Sequence, residues 1–469
     1  MLRRGLLRAS DLALSPFFYF ALGLTFTRGT WAGQEALNEN PPPATPQEVT
    51  TPLGESFEPE TPPSPNAISG ALDKALAHLT PFVRDTTLTL KPRIYYFDSE
   101  ASNGKQSEAV AGGGSVEYTS GWVANVFRVG AEWFTSQPIY APEDRDGTLL
   151  LAPGQEGYSV WGQAYGQFKI VDDNVLTAGR SEYNTPYANR QFNRMTPNTF
   201  EGISMKGSFS GFEDKSKFNY LVGYLSDIKP RSSDEFIPMS QALGPSSNGN
   251  YYGTALAEVK YSVSSVTAGF AEYYTPQNLN IIYLEGTWTP EFGAKYGLKV
   301  SAQYTDEQSI GGAVSLNGNP AHSNAGLRVT FGYEGSVFDL AYSDTSKNGN
   351  LINVWGTNPS YTNTLVKNRN RAGEQGALIG ASYNFARLKV PELSASVVYA
   401  YGWSAINPNT GAPVPDQHEL DLTVDFRFVE KGPLKGLWLR AQRLIVQALG
   451  EPEPTSEWRV ILYWEIPLL

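Results

Sequence analysis

The sequence predicts an all-β protein, a transmembrane antiparallel β-barrel of about 18 strands. Two observations lead to this prediction. Most of the chain alternates between polar and apolar residues, and the links between the alternating stretches are short and long in turn. Neighbouring side chains of a strand point to opposite faces, so strict alternation gives each strand one polar and one apolar face. A membrane barrel uses both, because the apolar face meets lipid and the polar face lines an aqueous lumen.

The composition is compatible with such a barrel and excludes several other classes of protein. Hydrophobic residues make up 41% of the 469 residues, and the mean hydropathy is −0.31, which is too polar for a helical membrane protein. The aromatic content of 13% is high enough to supply two aromatic girdles. The absence of cysteine excludes thiolate metal sites and cysteine nucleophiles. The net charge of −11 argues against nucleic acid as a partner.

The first third of the chain divides into segments of different composition. Residues 1–32 have a basic start, an apolar run and a Thr-Trp-Ala cleavage sequence, which together predict a signal peptide. Residues 33–66 are Pro-rich and acidic and predict a linker. Residues 67–82 have apolar residues at helical spacing and predict a short periplasmic helix, with a surface helix of no special role as the alternative. The barrel domain is predicted to occupy residues 83–469.

Turn residues divide the barrel domain into alternating stretches. We predict strands over 83–97, 112–120, 124–134, 158–170, 174–181, 199–209, 217–226, 251–261, 264–274, 279–288, 297–306, 323–333, 336–344, 376–385, 392–403, 417–429, 435–446 and 457–468.

The links between these stretches are sorted by length. Tight links include 121–122 and 262–263, whereas the alternate links are mostly long, with 275–278 as an exception. Outer-membrane barrels have this arrangement, with turns on the periplasmic side and loops on the outside. A soluble sandwich has no reason to sort its loops in this way. An even number of strands also leaves both ends of the barrel on the periplasmic side.

Charged residues repeatedly share one face of the predicted strands. In 418–428, "HELDLTVDFRF", four charges alternate with large apolar side chains. The same alternation assigns two sets of charges to the lumen. The bases are Lys91, Arg93, Arg128, Lys169, Lys299, Arg328, Arg427, Arg440 and Arg459, and the acids are Glu132, Glu285, Asp339, Glu419, Asp421 and Asp425. A file of bases could pass a carboxylate from site to site while the acids bind an amine. The alternative is that these charges form ion pairs that only brace the wall.

The sequence gives no sign of catalysis, of a cofactor or of a metal site. The three histidines, His78, His322 and His418, are isolated from one another and from any Ser/Asp pair placed for nucleophilic catalysis. We therefore expect no enzyme activity. The basic run 363–376 lies between two predicted strands, and we expect a solvated loop there.

Three segments resemble the OprD family of outer-membrane porins. "NRMTPNTFEG" (193–202) resembles the segment that follows the third extracellular loop in that family, "EWRVILYWEIPLL" (457–469) its last strand and "LTLKPRIYYF" (88–97) its first. The resemblance covers the chain from about residue 83 to its end. It implies a barrel of 18 strands whose third extracellular loop folds inward and narrows the lumen. In this chain that loop would be 181–199, and the candidate residues at the constriction are Tyr183, Tyr187, Asn189, Arg190 and Arg194.

The resemblance also implies a function. We expect a channel in the outer membrane of a Gram-negative cell, for passive and partly selective diffusion of small polar solutes such as amino acids, carboxylates or peptides. The expected partners are these solutes, outer-membrane lipid and lipopolysaccharide, and the barrel-assembly machinery, with no nucleic acid. Monomer and homotrimer both remain open. The alternatives are a structural or adhesive barrel that transports nothing, and a soluble exported β protein such as a carbohydrate binder.

Overall fold

The computed structural model describes residues 76, 78–171, 174–210, 216–244, 249–292, 295–311, 321–428 and 434–469. The predicted signal peptide and linker lie outside these residues, as does most of the predicted helix 67–82, and all three remain predictions. The described part of this region contains a four-residue helix, Pro81–Arg84. No helix among the described residues is long and apolar enough to cross a membrane.

The regular secondary structure in the rest of the described chain is almost entirely β-strand. The strands are β1 Thr87–Glu100, β2 Gln106–Thr119, β3 Phe127–Tyr140, β4 Tyr158–Val171, β5 Asn174–Ser181, β6 Thr199–Ser210, β7 Ser216–Lys229, β8 Ile237–Pro238, β9 Thr254–Val263, β10 Val266–Thr275, β11 Leu279–Trp288, β12 Tyr296–Ser309, β13 Ala321–Tyr333, β14 Ser336–Thr345, β15 Gln375–Asn384, β16 Leu393–Trp403, β17 Gln417–Arg427, β18 Leu437–Ala448, β19 Thr455–Trp464 and β20 Ile466–Pro467. Short 3₁₀ helices occupy Glu143–Arg145, Gln241–Leu243 and Phe385–Leu388.

The strands form a closed antiparallel barrel. Each long strand pairs with the next one along the chain, and β1 pairs with both β2 and β19, which closes the ring. The two-residue strand β8 pairs with β7 alone, and the two-residue strand β20 continues the pairing of β19 with β1 in the same register, so neither adds a strand to the ring. The other 18 of the 20 strands form the barrel wall. Closure leaves no open edge, which is what a sheet in lipid requires. The predicted fold class is confirmed.

Each of the 18 predicted stretches corresponds to one wall strand, and the largest errors are at the ends that lead into the long loops. The link predicted over 98–111 is only 101–105, because β1 and β2 stay paired as far as Glu100 and Gln106. The sequence there is polar on both faces, so the alternation disappears although the hydrogen-bonded ladder continues. On the opposite rim the predicted tight link 262–263 is tight, at 264–265, whereas the one predicted at 121–122 is longer and spans 120–126. Glu334 and Gly335, between β13 and β14, have φ of 47° and 92°, as a type I′ hairpin turn requires.

Burial separates the two faces of the wall as the alternation predicted. In β17, Leu422 and Val424 are 41% and 47% exposed, whereas Glu419 and Asp421 are almost fully buried. Among the described residues, the outward face is a belt of exposed aliphatic and aromatic side chains. A belt of this kind needs an apolar surrounding.

One assignment to a face was wrong. Because Lys169 is assigned to the lumen, strict alternation in 158–170 places Val160 on the apolar outer face, but Val160 is buried inside and its neighbour Trp161 is 58% exposed. The cause is a β-bulge, since Glu132 pairs with Gln163 and Trp133 with Trp161, which leaves Gly162 as an extra residue. An extra residue shifts the two-residue period by one on its far side.

Candidate functional site inside the barrel

The loop between β5 and β6, residues 182–198, contacts the wall on one side through Tyr187. The Tyr187 hydroxyl donates to Glu307 of β12 at 2.9 Å, and its backbone N–H donates to the Tyr273 hydroxyl of β10 at 3.1 Å. The rings of Tyr187 and Tyr273 also lie 5.7 Å apart. Burial, followed by the nearby Glu307 carboxylate, raises the pKa of Tyr187 well above its usual value, so the phenol keeps the proton that it donates.

The same loop contacts the wall on the other side of its own strands. Phe192 packs edge-on against Tyr463 of β19, with ring centroids 6.4 Å apart. The Tyr95 hydroxyl of β1 donates to the Asn193 carbonyl at 3.4 Å. The loop therefore touches β1 and β19 in one direction around the ring and β10 and β12 in the other.

A second long loop, residues 346–374 between β14 and β15, packs against buried acids of β17. The N–H groups of Val366 and Lys367 donate to the Glu419 carboxylate, both at 2.8 Å, and the Leu365 N–H donates to Asp421 at 3.2 Å. The Arg369 side chain is fully buried and lies 3.4 Å from Glu419.

This packing corrects the expectation of a solvated loop over 363–376. The basic side chain at Arg369 neutralises a buried acid, and a buried charge requires such a partner. The sequence offered one signal, since the acids of β17 outnumber the bases on the same strand face. It could not show that the missing base comes from a loop after β14.

The two loops also bind each other. Asn189 is the main link, because its N–H donates to the Trp355 carbonyl at 3.2 Å and its side-chain amide donates to the Thr357 carbonyl at 2.9 Å. Gly356 permits this approach, since a Cβ there would lie 2.2 Å from the Asn189 Oδ1 atom. Trp355 in turn donates its indole N–H to the Met239 carbonyl at 2.9 Å.

The predicted constriction residues have different environments. Tyr183 and Tyr187 are buried against the wall, and the Tyr183 hydroxyl donates to Ser204 at 2.8 Å. Asn189 joins the two loops, as described above. Arg190 is partly exposed and pairs with Glu182 at 3.1 Å. Arg194 is buried, and its guanidinium donates to the Thr148 carbonyl at 2.9 Å.

Several predicted lumen bases are ion-paired within the wall. Lys91 lies 2.9 Å from Glu117 and 3.5 Å from Glu132, Arg328 lies 2.8 Å from Asp339, and Arg459 lies 2.6 Å from Glu457. Arg440 binds both oxygens of Asp425, at 2.7 and 3.0 Å. These pairs agree with the alternative that the charges form ion pairs that brace the wall.

In the described part of the chain, four of the other five predicted lumen bases lie over aromatic rings, Lys299 being the exception. Their guanidinium or ammonium groups are 4.1 to 4.7 Å from a ring centroid: Arg93 over Phe192, Arg128 and Lys169 over Trp122, and Arg427 over Trp438. The negative face of an aromatic ring attracts a cation in this position.

Three arginines meet where the first loop approaches β1 and β19. Arg194 and Arg459 both lie over the Phe97 ring, 4.9 and 5.6 Å from its centroid. Arg231, from the loop after β7, donates to the Asn193 side chain. We call Arg194, Arg231 and Arg459 the arginine cluster. Arg231 was not among the predicted site residues, because it lies outside any alternating stretch and no local sequence feature distinguishes it.

The arginine cluster concentrates positive charge. Burial and then the charge of Arg459 lower the pKa of Arg194 to about 10, and burial and then the charge of Arg194 lower the pKa of Arg231 to about 9. A guanidinium at these values remains protonated at neutral pH. Among the described residues, neither Arg194 nor Arg231 forms an ion pair with a carboxylate. The arrangement can therefore accept an anion.

Comparisons with known proteins agree with this architecture. The model of the OprD family of outer membrane porins matches residues 80–468. No curated protein matches the chain. Among solved structures, Pseudomonas aeruginosa OccK9 (OpdG) has a TM-score of 0.71 at 20% identity, over 83% of this chain and all of that one. OccK8 (OprE) of the same organism has 0.70 at 18%, over 83% and 100%. Its OpdK, in a structure with vanillate, has 0.70 at 15%, over 82% and 100%.

Proposed function

The chain belongs to the OprD family of outer membrane porins, and from this premise we propose that it is a partly selective channel for small solutes that bear a carboxylate. As a member of that family it is an outer-membrane channel for the diffusion of small solutes. The preference for carboxylates, which include amino acids and peptides, is our proposal. The observation that supports it is the arginine cluster, in which two guanidinium groups have no carboxylate partner among the described residues.

We further propose that residues 182–198 fold into the lumen and, with 346–374, form its narrowest part. The first loop contacts β1 and β19 on one side of β5 and β6, and β10 and β12 on the other, which supports a course across the lumen. Its contacts with Trp355 and Thr357 support a joint constriction by both loops. At such a constriction a solute passes close to Arg194 and Arg231. Fixed positive charge in a narrow tunnel lowers the electrostatic barrier for a carboxylate. Vanillate, which the OpdK structure contains, is a carboxylate.

The ion-paired wall bases favour a second candidate, a structural barrel whose lumen is closed to solutes. Lys91, Arg328, Arg440 and Arg459 all have carboxylate partners, and both loops contact buried acids of the wall. A closed barrel would bind and pass no carboxylate. Current through the reconstituted protein separates the two candidates.

Replacing Arg194 and Arg231 together by Gln should weaken anion preference. In a salt gradient across a planar bilayer, we expect the reversal potential to shift toward cation preference and carboxylate uptake by liposomes to fall severalfold. The reason is that two fixed charges leave the narrowest part of the path while a polar amide that can donate hydrogen bonds remains at each position. Arg387→Gln is the matched control, since Arg387 pairs with Glu334 in a solvent-exposed turn. A double variant with the parental reversal potential and uptake would assign selectivity to other residues.

A further inference from the structure

A single buried carboxylate, that of Glu307 in β12, receives hydrogen bonds from both loops, 182–198 and 346–374. The Tyr187 hydroxyl of the first loop donates to its Oε1 atom at 2.9 Å. The Ile352 N–H of the second loop donates to Oε2 at 3.0 Å and approaches Oε1 at 3.3 Å. The Nδ1 atom of His322, its cross-strand partner on β13, lies 3.8 Å away. Glu307 is 1% exposed.

An ionised carboxylate suits this position because it has two acceptor oxygens and no donor. Tyr187 binds one oxygen and the shorter Ile352 contact is to the other, so both loops can bind at once. Hydrogen bonds to a charged acceptor are stronger than neutral ones, and in a buried place the loss of either donor is costly. A glutamine has only one carbonyl oxygen, which the two loops would have to share, and its NH₂ group would face a second donor. It would therefore weaken the hydrogen bond to at least one of the loops.

We propose that Glu307 is a positioning residue that couples the two loops, so that one carboxylate sets the width of the constriction. The first loop has a further contact with this part of the wall at Tyr273, and the second is held elsewhere by Glu419. At Glu307 both loops donate hydrogen bonds to the same wall carboxylate. When it is lost, each loop keeps its other anchors, and the two loops keep their direct link at Asn189, but their positions on the wall are no longer tied to one shared acceptor. This inference rests on the proposed function, since it concerns the same constriction.

The test is a double-mutant cycle on single-channel current. We expect Glu307→Gln to raise the fraction of time that the channel spends away from its main conductance level by about tenfold, the factor that one weakened hydrogen bond to a charged group can produce. Tyr187→Phe alone should raise it less, because Ile352 keeps its bond. If Tyr187 acts through Glu307, Tyr187→Phe should add nothing in the Glu307→Gln background. The coupling would be overturned if the effects of the two variants multiplied in the double variant. It would also be overturned if Glu307→Gln left the channel as stable at its main conductance level as the parent.

Tyr401→Phe is the matched control. The Tyr401 hydroxyl of β16 donates at 2.7 Å to Asp416, in the loop between β16 and β17, so the variant removes a contact between a tyrosine and a carboxylate that lies in neither constriction loop. We expect parental current from it, and an unstable Tyr401→Phe current would show that any loosened loop contact has the same effect. Failure of the proposed function looks different, because the parent protein would then carry no current. In that case the rate of protease cleavage within 346–374 would be measured for the same two single variants and the double variant. Non-additive effects on this rate would support the coupling, and additive effects would overturn it.

Discussion

Deleting residues 185–192 should raise the single-channel conductance severalfold and weaken discrimination between solutes. The deletion removes Tyr187 and Phe192, the two side chains that hold the loop against opposite parts of the wall. It also removes Asn189, the main link to the second loop. A pore conducts according to its narrowest section, so a wider constriction should dominate the measured current.

Deletion of 407–412 is a suitable control, because this short stretch lies in a mostly exposed loop between β16 and β17. It should leave the conductance unchanged. Both proteins must first show the heat-dependent gel mobility of a folded barrel. If the 185–192 deletion is folded and conducts like the parent, the constriction lies elsewhere, and 346–374 becomes the next segment to test.

Leu340→Arg should severely reduce the folded fraction of the protein. Leu340 is 57% exposed on the outer face in the middle of β14, and its cross-strand neighbours are Val329 and Ile379. An arginine on the lipid face costs roughly 2–4 kcal/mol near the membrane midplane. A marginally stable barrel cannot absorb a loss of that size without a large rise in unfolded protein. Folded and unfolded bands after reconstitution in lipid vesicles measure the effect.

Leu340→Phe is the control for this variant, since it changes the size of the side chain but keeps it apolar. We expect it to fold like the parent. Equal folding of the Arg and Phe variants in lipid would mean that this face is not in contact with the hydrocarbon core.

The sequence was sufficient to predict the barrel because its two main signals are local. A period of two needs only neighbouring residues, and link lengths need only the positions of turn residues. The predictions failed where a distant partner decides the outcome. The side chains of Val160 and Trp161 exchange faces because β4 contains one more residue than β3 at that point. No feature of 158–170 alone reveals this bulge.

The interior was harder to predict for the same reason. Alternation placed Asp425 and Arg440 on the inner face, but it could not show that they bind each other at 2.7 Å. The resemblance directed attention to one loop, whereas 346–374 also packs against buried wall acids. Arg231 lies in a third loop, and its link to Arg194 depends on Asn193, whose side chain it contacts. The contacts between long loops depend on where the closed barrel places the ends of each loop. They can therefore be identified from the three-dimensional structure but not from the local sequence.

The most direct test of a carboxylate-selective pore is the current through the wild-type protein in a planar bilayer bathed in the salt of a small carboxylate. We expect discrete conductance steps and, in a gradient of that salt, a reversal potential on the side of anion preference. Folded, heat-modifiable protein that inserts but gives no steps would contradict this expectation, and would identify the barrel as a closed structural one.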